Sequence, residues 1–341
     1  MHFGIRLFVV VSMLIGATLA IFYVSQERLV PAAPDLPLEK LVLATPQIPF
    51  SSLLFLAKHQ GLFTKHGLDV QLVVTASGKE ALEMTLAGKA DIAAVATLPL
   101  AYVVSRAAQP RILAVISKSD YEHSVVARRD RGIAQVEDLT NKTIGMVAGT
   151  SAQFYLEALL THANIARNSV RLKSLTVHES ENAIVSGEVD AIALYSPWDK
   201  RAAQALGESG IVFSPSLHTT HWTLSSDKDF VDTRPQVAKK LLLALLDAQT
   251  FIAEHRQTSL NILAQEMEMP HVVLEESWQL YTFDLQLPQS LIATLERESL
   301  WLRSQVTGPN GDQTTPLPDF LDYLSFTALQ SVNPSAIRIT R

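Results

Sequence analysis

The chain has 341 residues, 48% of them hydrophobic and 18% charged, with 14 Gly and 16 Pro. That is material for one large domain or two ordinary ones, and it excludes disordered and fibrous classes. A formal net charge of -6 argues against a nucleic-acid partner, and the lack of any cysteine removes disulfides, thiolate nucleophiles, cysteine-held metals and lipid attachment through a cysteine.

Residues 1–6 form a basic n-region carrying Arg6, and 7–24 are apolar apart from Ser12, Gly16 and Thr18. At about 1.5 Å per residue such a run spans about 27 Å, close to a bilayer core. It reads in two ways: as an uncleaved signal-anchor transmembrane helix, or as a signal peptide cut near Thr18-Leu19-Ala20. Both put the rest of the chain in the periplasm or outside the cytoplasm, the first anchoring it to the inner membrane. Residues 25–40, with Pro31, Pro34 and Pro37, read as an extended linker.

Beyond the linker the hydrophobic pattern spells one βαβαβ unit twice. Strands are expected over 41–44, 69–74 and 91–95, with helices from Ser51 and over 79–87 between them. The order returns with strands over 143–147, 170–175 and 190–195 and helices over 151–162 and 179–186. The third units align: Gly88-Lys89-Ala90-Asp91-Ile92-Ala93 with Gly187-Glu188-Val189-Asp190-Ala191-Ile192. In each, a glycine suited to a left-handed helix end precedes an Asp that opens a strand.

Alternating strands and helices imply parallel sheets with right-handed crossovers, and two such units imply two lobes. Apolar stretches within 111–126 and 211–224 read as the strands that cross between them. Helices are expected over 237–255, 258–267, 272–281 and 289–306, packed on the first lobe. The expected fold is therefore α/β and two-lobed, with lobe 1 built from 41–118 and 220–341 and lobe 2 from 119–219.

Parallel sheets bind ligands beyond the carboxyl ends of their strands, where helix starts expose unpaired N–H groups. Here those loops are rich in small polar residues: Gln47, Ser51 and Ser52 after the first strand, then Ser77 and Gly78, then Thr97. The second unit offers Thr150 and Ser151, then Tyr195 and Trp198. Ser77 with Glu80, and Thr150 with Gln153, have capping-box spacing. Any one of these is read as readily as a plain helix cap; their convergence on one cleft favours a site. Trp198, beside Asp199 and Lys200, is either core or a face on which a ligand stacks.

Other groups carry less. His218 and His221 are three apart without a nearby carboxylate, so hydrogen-bonded histidines are expected there rather than a metal site. His178 reads as a surface or capping residue as readily as a cleft residue, and Arg128-Arg129-Asp130-Arg131 as a solvated turn. No GxSxG, HExxH, Walker or Rossmann pattern occurs, so no cofactor, no metal and no enzyme activity are expected.

The stretches Phe55-Leu56-Ala57-Lys58-His59-Gln60-Gly61-Leu62-Phe63, Gly67-Leu68-Asp69-Val70, Ser77-Gly78-Lys79-Glu80, Gly149-Thr150-Ser151 and Pro197-Trp198 follow in an order and spacing that carry a resemblance. The chain resembles solute-binding proteins of the nitrate/sulfonate/taurine and thiamine-precursor ABC-importer group. The resemblance implies a periplasmic-binding-protein fold of type II that closes on a small-molecule ligand and delivers it to an inner-membrane permease. Carried over residue by residue, the group's ligand loops fall on Gln47, Ser51, Ser52, Ser77, Gly78, Thr97, Thr150, Ser151, Tyr195 and Trp198. With Phe50 nearby and no Arg in these loops, an organic molecule (sulfonate-like, carboxylate or pyrimidine-like) is favoured over bare nitrate. The competing reading is a membrane-anchored ligand sensor that reports to a separate signalling protein.

Overall fold

The computed structural model describes residues 37–307 and 316–340. The n-region, the apolar run 7–24 and most of the linker lie outside the described residues. Among the described residues no helix is long and apolar enough to cross a membrane.

The chain enters through β1 (Glu39–Thr45), a 3-10 turn over Pro49–Ser51, α1 (Ser52–His59) and α2 (Leu62–Lys65). Then come β2 (Leu68–Val74), α3 (Gly78–Leu86), β3 (Ile92–Ala96), α4 (Thr97–Val104) and β4 (Arg111–Ser119). The second lobe holds β5 (His123–Arg128), β6 (Thr143–Met146), α5 (Ser151–His162), β7 (Arg171–Ser174), α6 (Val177–Ser186), β8 (Ala191–Tyr195), α7 (Trp198–Leu206) and β9 (Gly210–Phe213). The chain returns by β10 (Thr220–Ser226) to α8 (Lys228–Thr233), α9 (Pro235–Glu254), α10 (Arg256–Glu266) and α11 (His271–Trp278). It ends with β11 (Leu287–Pro288), α12 (Gln289–Thr307), α13 (Phe326–Val332) and β12 (Ile337–Arg338).

The strands form two five-stranded sheets, in the orders β2-β1-β3-β10-β4 and β7-β6-β8-β5-β9. In the first, β1 runs parallel to β2 and β3, and β10 runs antiparallel to β3 and β4. The second repeats this scheme, with β6 parallel to β7 and β8, and β5 antiparallel to β8 and β9. The fourth place in each sheet is thus taken by a strand that has just crossed from the other lobe. Two lobes, each a parallel-rich α/β sheet, are joined by two crossovers, with helices completing the C-terminal region.

The aligned Gly-Asp pairs have one physical meaning. Gly88 and Gly187 sit at φ 68° and 78°, the left-handed region that favours glycine. Asp91 Oδ2 then accepts the N–H of Val42 at 2.7 Å, and Asp190 Oδ2 accepts that of Thr143 at 2.9 Å. Each carboxylate satisfies a backbone donor on the neighbouring central strand, which would otherwise be left unpaired at a sheet end.

The cores follow the strand period. In β8, Ala191 and Ala193 face one cluster with Tyr155 and Leu156, while Ile192 and Leu194 face another with Ile184. The first lobe buries one larger core, in which Leu53 and Leu54 of α1 meet Leu241, Leu242 and Leu245 of α9. The pattern does not announce α2, α4, α7, α8 or α13, and of these α4 follows β3 directly. Its sequence, TLPLAYVV, has Pro99 in the first turn and apolar residues all round, so no amphipathic period announces it.

Candidate functional site

A cavity opens at the carboxyl ends of the central strands. The first lobe contributes Pro46, Ile48 and Phe50 after β1, Ser77, Gly78 and Lys79 at the start of α3, and Ala96 and Pro99 around the start of α4. The second lobe contributes Thr150 and Ser151 at the start of α5 and Tyr195 at the end of β8. The crossovers add Glu122, Thr220 and Trp222. The room it leaves for water is small, about 40 Å³.

Two of the helix starts are built differently. At α3 the Ser77 oxygen accepts the Glu80 N–H at 3.2 Å, while Glu80 reaches back to the Ala76 N–H at 2.8 Å. At α5 the expected box between Thr150 and Gln153 does not form. Thr150 Oγ1 turns back and donates to the Val147 carbonyl at 2.8 Å, and Gln153 accepts from Gly149 N–H at 2.9 Å. The first-turn N–H groups of α5 are therefore not taken by the Thr150 side chain, and the helix start keeps its partial positive charge.

One wall is aromatic. Phe50 stacks on Trp222, centroids 5.4 Å apart and planes 9° from parallel, and meets Tyr281 edge-on at 4.9 Å. Gly78 admits this packing: a Cβ there would lie 2.7 Å from Trp222 Cη2 and 3.0 Å from Val95 Cα. The Trp222 indole N–H is buried and has no acceptor among the described residues.

The polar groups gather around the first crossover. Tyr281 donates to Glu122 Oε2 at 2.6 Å. Burial pushes the Glu122 carboxyl well above its ordinary range, against the opposing Tyr281 bond; nearby Asp199 pushes it the same way as burial. Burial also raises Asp199, which accepts from Ser124 at 2.8 Å, and Tyr195, which is pushed up to about 12 with a smaller contribution from Glu122. His123 Nε2 pairs with Ser151 Oγ at 2.9 Å, and its Nδ1 faces Thr220 Oγ1 at 3.4 Å. A Ser–His contact suggests a nucleophile and base, but burial holds His123 down to about 3, which makes it a poor proton acceptor. Among the described residues no carboxylate orients the ring, so the contact serves to position Ser151.

Of the residues singled out in the sequence, Ser77, Gly78, Thr150, Ser151 and Tyr195 come together at the cavity. The others stand elsewhere, and in four of them the polar group is already engaged. Gln47 donates to the Glu266 carbonyl at 2.9 Å; Ser51 bonds Thr45 at 2.7 Å; Ser52 donates to the Pro49 carbonyl at 2.6 Å; Thr97 donates to Glu298 at 2.9 Å. Trp198 packs edge-on against His178, centroids 5.1 Å apart, with Arg201 over its ring. Sequence reasoning missed Glu122, Thr220 and Trp222. The last two share one face of β10 by alternation, the signal that was available for them. Glu122 differs from its exposed neighbours by no pattern.

His218 and His221 are buried. Arg297 donates to His218 Nδ1 at 3.1 Å, and His221 bonds Ser290 at 3.0 Å. Among the described residues no group of side chains is arranged to hold a metal ion.

Two α/β lobes on paired crossovers, with a cavity between helix starts, define the fold of periplasmic solute-binding proteins. Residues 49–259, more than half of the chain, match the NMT1/THI5-like family model, and the chain belongs to that family. Among solved structures it is similar to the periplasmic aliphatic sulphonate binding protein SsuA of Escherichia coli (TM-score 0.68, 19% identity, 80% of this chain and 94% of that one). It is also similar to the alkanesulfonate-binding protein SsuA of Xanthomonas axonopodis pv. citri bound to MOPS (0.68, 18%, 81% and 96%). A third is the periplasmic nitrate-binding protein NrtA of Synechocystis PCC 6803 (0.66, 15%, 88% and 90%). At these identities the likeness is one of fold.

Proposed function

We propose that this protein is the extracytoplasmic solute-binding component of an ABC importer, capturing a small organic molecule in the interlobe cleft and handing it to an inner-membrane permease. The observation that carries the reading is a cavity lined by both lobes and by the crossovers that join them. A ligand there touches both lobes only when they are together, so it shifts the population toward the closed arrangement. Ser77, Gly78, Thr150, Ser151 and Tyr195 are its proposed contacts, with Phe50 and Trp222 stacking on an apolar or ring portion.

The lining supports an organic ligand over a bare oxyanion. Lys79 is the basic residue among the described lining residues, no Arg accompanies it, and much of the wall is apolar. Sulfonate-like, carboxylate and pyrimidine-like molecules all match helix starts beside aromatic rings. A thermal-shift screen of the purified protein with sulfonates, nitrate, pyrimidines, amidines and aromatic carboxylates tests the reading. A ligand at about 100 times its Kd is expected to stabilise by about 2.7 kcal/mol. A protein that no class stabilises, and that carries no small molecule when denatured and weighed, is not a solute receptor.

A further inference from the structure

Glu122 is the acidic residue of the cavity wall, 2% exposed, on the first crossover between β4 and β5. Tyr281 occupies Oε2; Oε1 has no partner among the described residues. The same lining holds the apolar Ile48 and Phe50 and the indole of Trp222. A carboxyl oxygen at the cavity surface of a nearly buried residue meets little water, so it gains a hydrogen bond chiefly from what enters the cavity.

The charges around Glu122 decide what that is. Asp199, also buried, acts on it as a like charge, and Lys200 opposes that only in part. Lys79, the basic side chain of the lining, is 43% exposed and lies 3.9 Å from Glu83. A cationic N–H group at Glu122 favours the ionised carboxylate, whose free oxygen then accepts, whereas an anion meets the acid only in the protonated form that burial favours. A nitrogen bearing hydrogens supplies the missing donor, and if it is cationic it also offsets Asp199.

We infer that Glu122 selects the ligand: its free oxygen receives an N–H, so the cavity prefers a molecule with an amine, amidine or guanidine group over an anion lacking N–H. This rests on the solute-binding reading and narrows it. Hydrogen-bond recognition of this kind discriminates strongly, because the wrong ligand leaves a buried group unpaired.

Two probes with the same ring separate the possibilities: benzamidine, which carries an amidinium, and benzenesulfonate, which carries an anion without N–H. Both are titrated calorimetrically into the full-length protein and into Glu122→Gln, whose amide oxygen still accepts from Tyr281. The expected result is that benzamidine binds the wild type more tightly than benzenesulfonate does, and that the substitution weakens it about tenfold or more while the ligand-free Tm stays put. Should Glu122→Gln fail to fold, Glu122→Asp takes its place, with the same loss expected because the shorter arm withdraws the oxygen.

Tighter binding of benzenesulfonate, or equal benzamidine affinity in both proteins, overturns the selection by Glu122 and leaves the solute-binding reading standing. If neither probe binds, mass spectrometry of the denatured protein decides. A co-purified molecule with an N–H group supports the inference, and one without N–H overturns it. No molecule at all overturns the solute-binding reading and this inference together.

Discussion

Trp301 donates its indole N–H to Glu157 at 2.9 Å, and through that bond α12 of the C-terminal region takes hold of α5 in the second lobe. Gln305 donates to the same oxygen at 2.9 Å, and Arg167 lies 3.6 Å from the other. The Trp301 ring stands edge-on to Phe154, centroids 5.5 Å apart. Because α12 also packs along α4 of the first lobe, Glu157 is a place where the lobes are held together away from the crossovers. It acts as a latch on the arrangement that brings the two lobes to the cavity.

Glu157→Ala is accordingly expected to favour lobe opening. It leaves the Trp301 and Gln305 donors without their acceptor, a loss of about 1–3 kcal/mol in the latched arrangement. The fold should persist, since each lobe keeps its own core, but closure on a ligand then carries that added cost. Affinity for whichever compound the thermal screen identifies should fall about tenfold or more. Small-angle scattering of the ligand-free variant should show a larger radius of gyration; an unchanged radius with unchanged affinity would mean that Glu157 holds nothing shut.

A second prediction concerns pH. Glu298 on α12 is fully buried, accepts from Thr97 at 2.9 Å, and is pushed up from 4.5 to about 8, chiefly by burial, with Thr97 and Arg297 opposing. Its folded-state value exceeds its unfolded one, so its contribution to stability is complete below about pH 4.5 and is lost as pH rises through about 8. Glu298→Gln keeps an acceptor for Thr97 and removes the titration. The variant is expected to gain on the wild type as pH rises from 5 to about 8.5, by on the order of a few kcal/mol. His218, 3.4 Å from Glu298 and held well below its ordinary value by burial, runs the other way: its contribution is lost as pH falls. The difference between the two proteins isolates Glu298 from it. Urea melts at several pH values make the measurement, and parallel curves would remove Glu298 as their source.

The duplicated fold was legible because its signals are local. Gly88 with Asp91, and Gly187 with Asp190, mark a helix end and a strand start from six residues of sequence each, and the structure gives both pairs one job. The site was legible only where local chemistry sufficed, as at Ser77, whose cap is closed by Glu80 three residues on. Where a distant partner decides, the reading stops. Thr97 looks like a ligand hydroxyl until Glu298, 201 residues away, takes it up. Glu122 looks like any surface acid until Tyr281, 159 residues away, covers it. Trp222 reaches the cavity because β10 inserts between β3 and β4, a fact of topology that its own neighbours do not encode.

Gly78 offers a test of how tightly the aromatic wall is fitted. A methyl group there meets the far edge of Trp222 at 2.7 Å and the Val95 backbone at 3.0 Å. The backbone cannot yield readily, so the indole must move and disturb its stack with Phe50. Gly78→Ala is expected to destabilise by about 1–3 kcal/mol and to reduce ligand affinity, with a changed tryptophan emission as the local signature. Unaltered emission with full affinity would show that the wall has slack.

Trp198 supplies the sharpest contrast between a residue that looks functional and one positioned to be so. Its neighbour Tyr195 lines the cavity, whereas Trp198 opens α7, packs against the second lobe's core cluster, and is held between His178 at 5.1 Å and Arg201 at 5.0 Å. The indole is spent on holding α6 and α7 together, since His178 belongs to α6. Trp198→Ala should therefore lower stability by about 1–3 kcal/mol through lost packing and leave ligand affinity within about twofold. Tyr195→Ala should do the reverse, weakening binding about tenfold or more, since it removes a ring from the cavity wall itself. Calorimetric titration of both variants beside their thermal melts reads the two effects separately. A tenfold loss of affinity in Trp198→Ala with little change in Tm would put the indole on the ligand, and with it a closure of the second lobe that carries α7 toward the cleft.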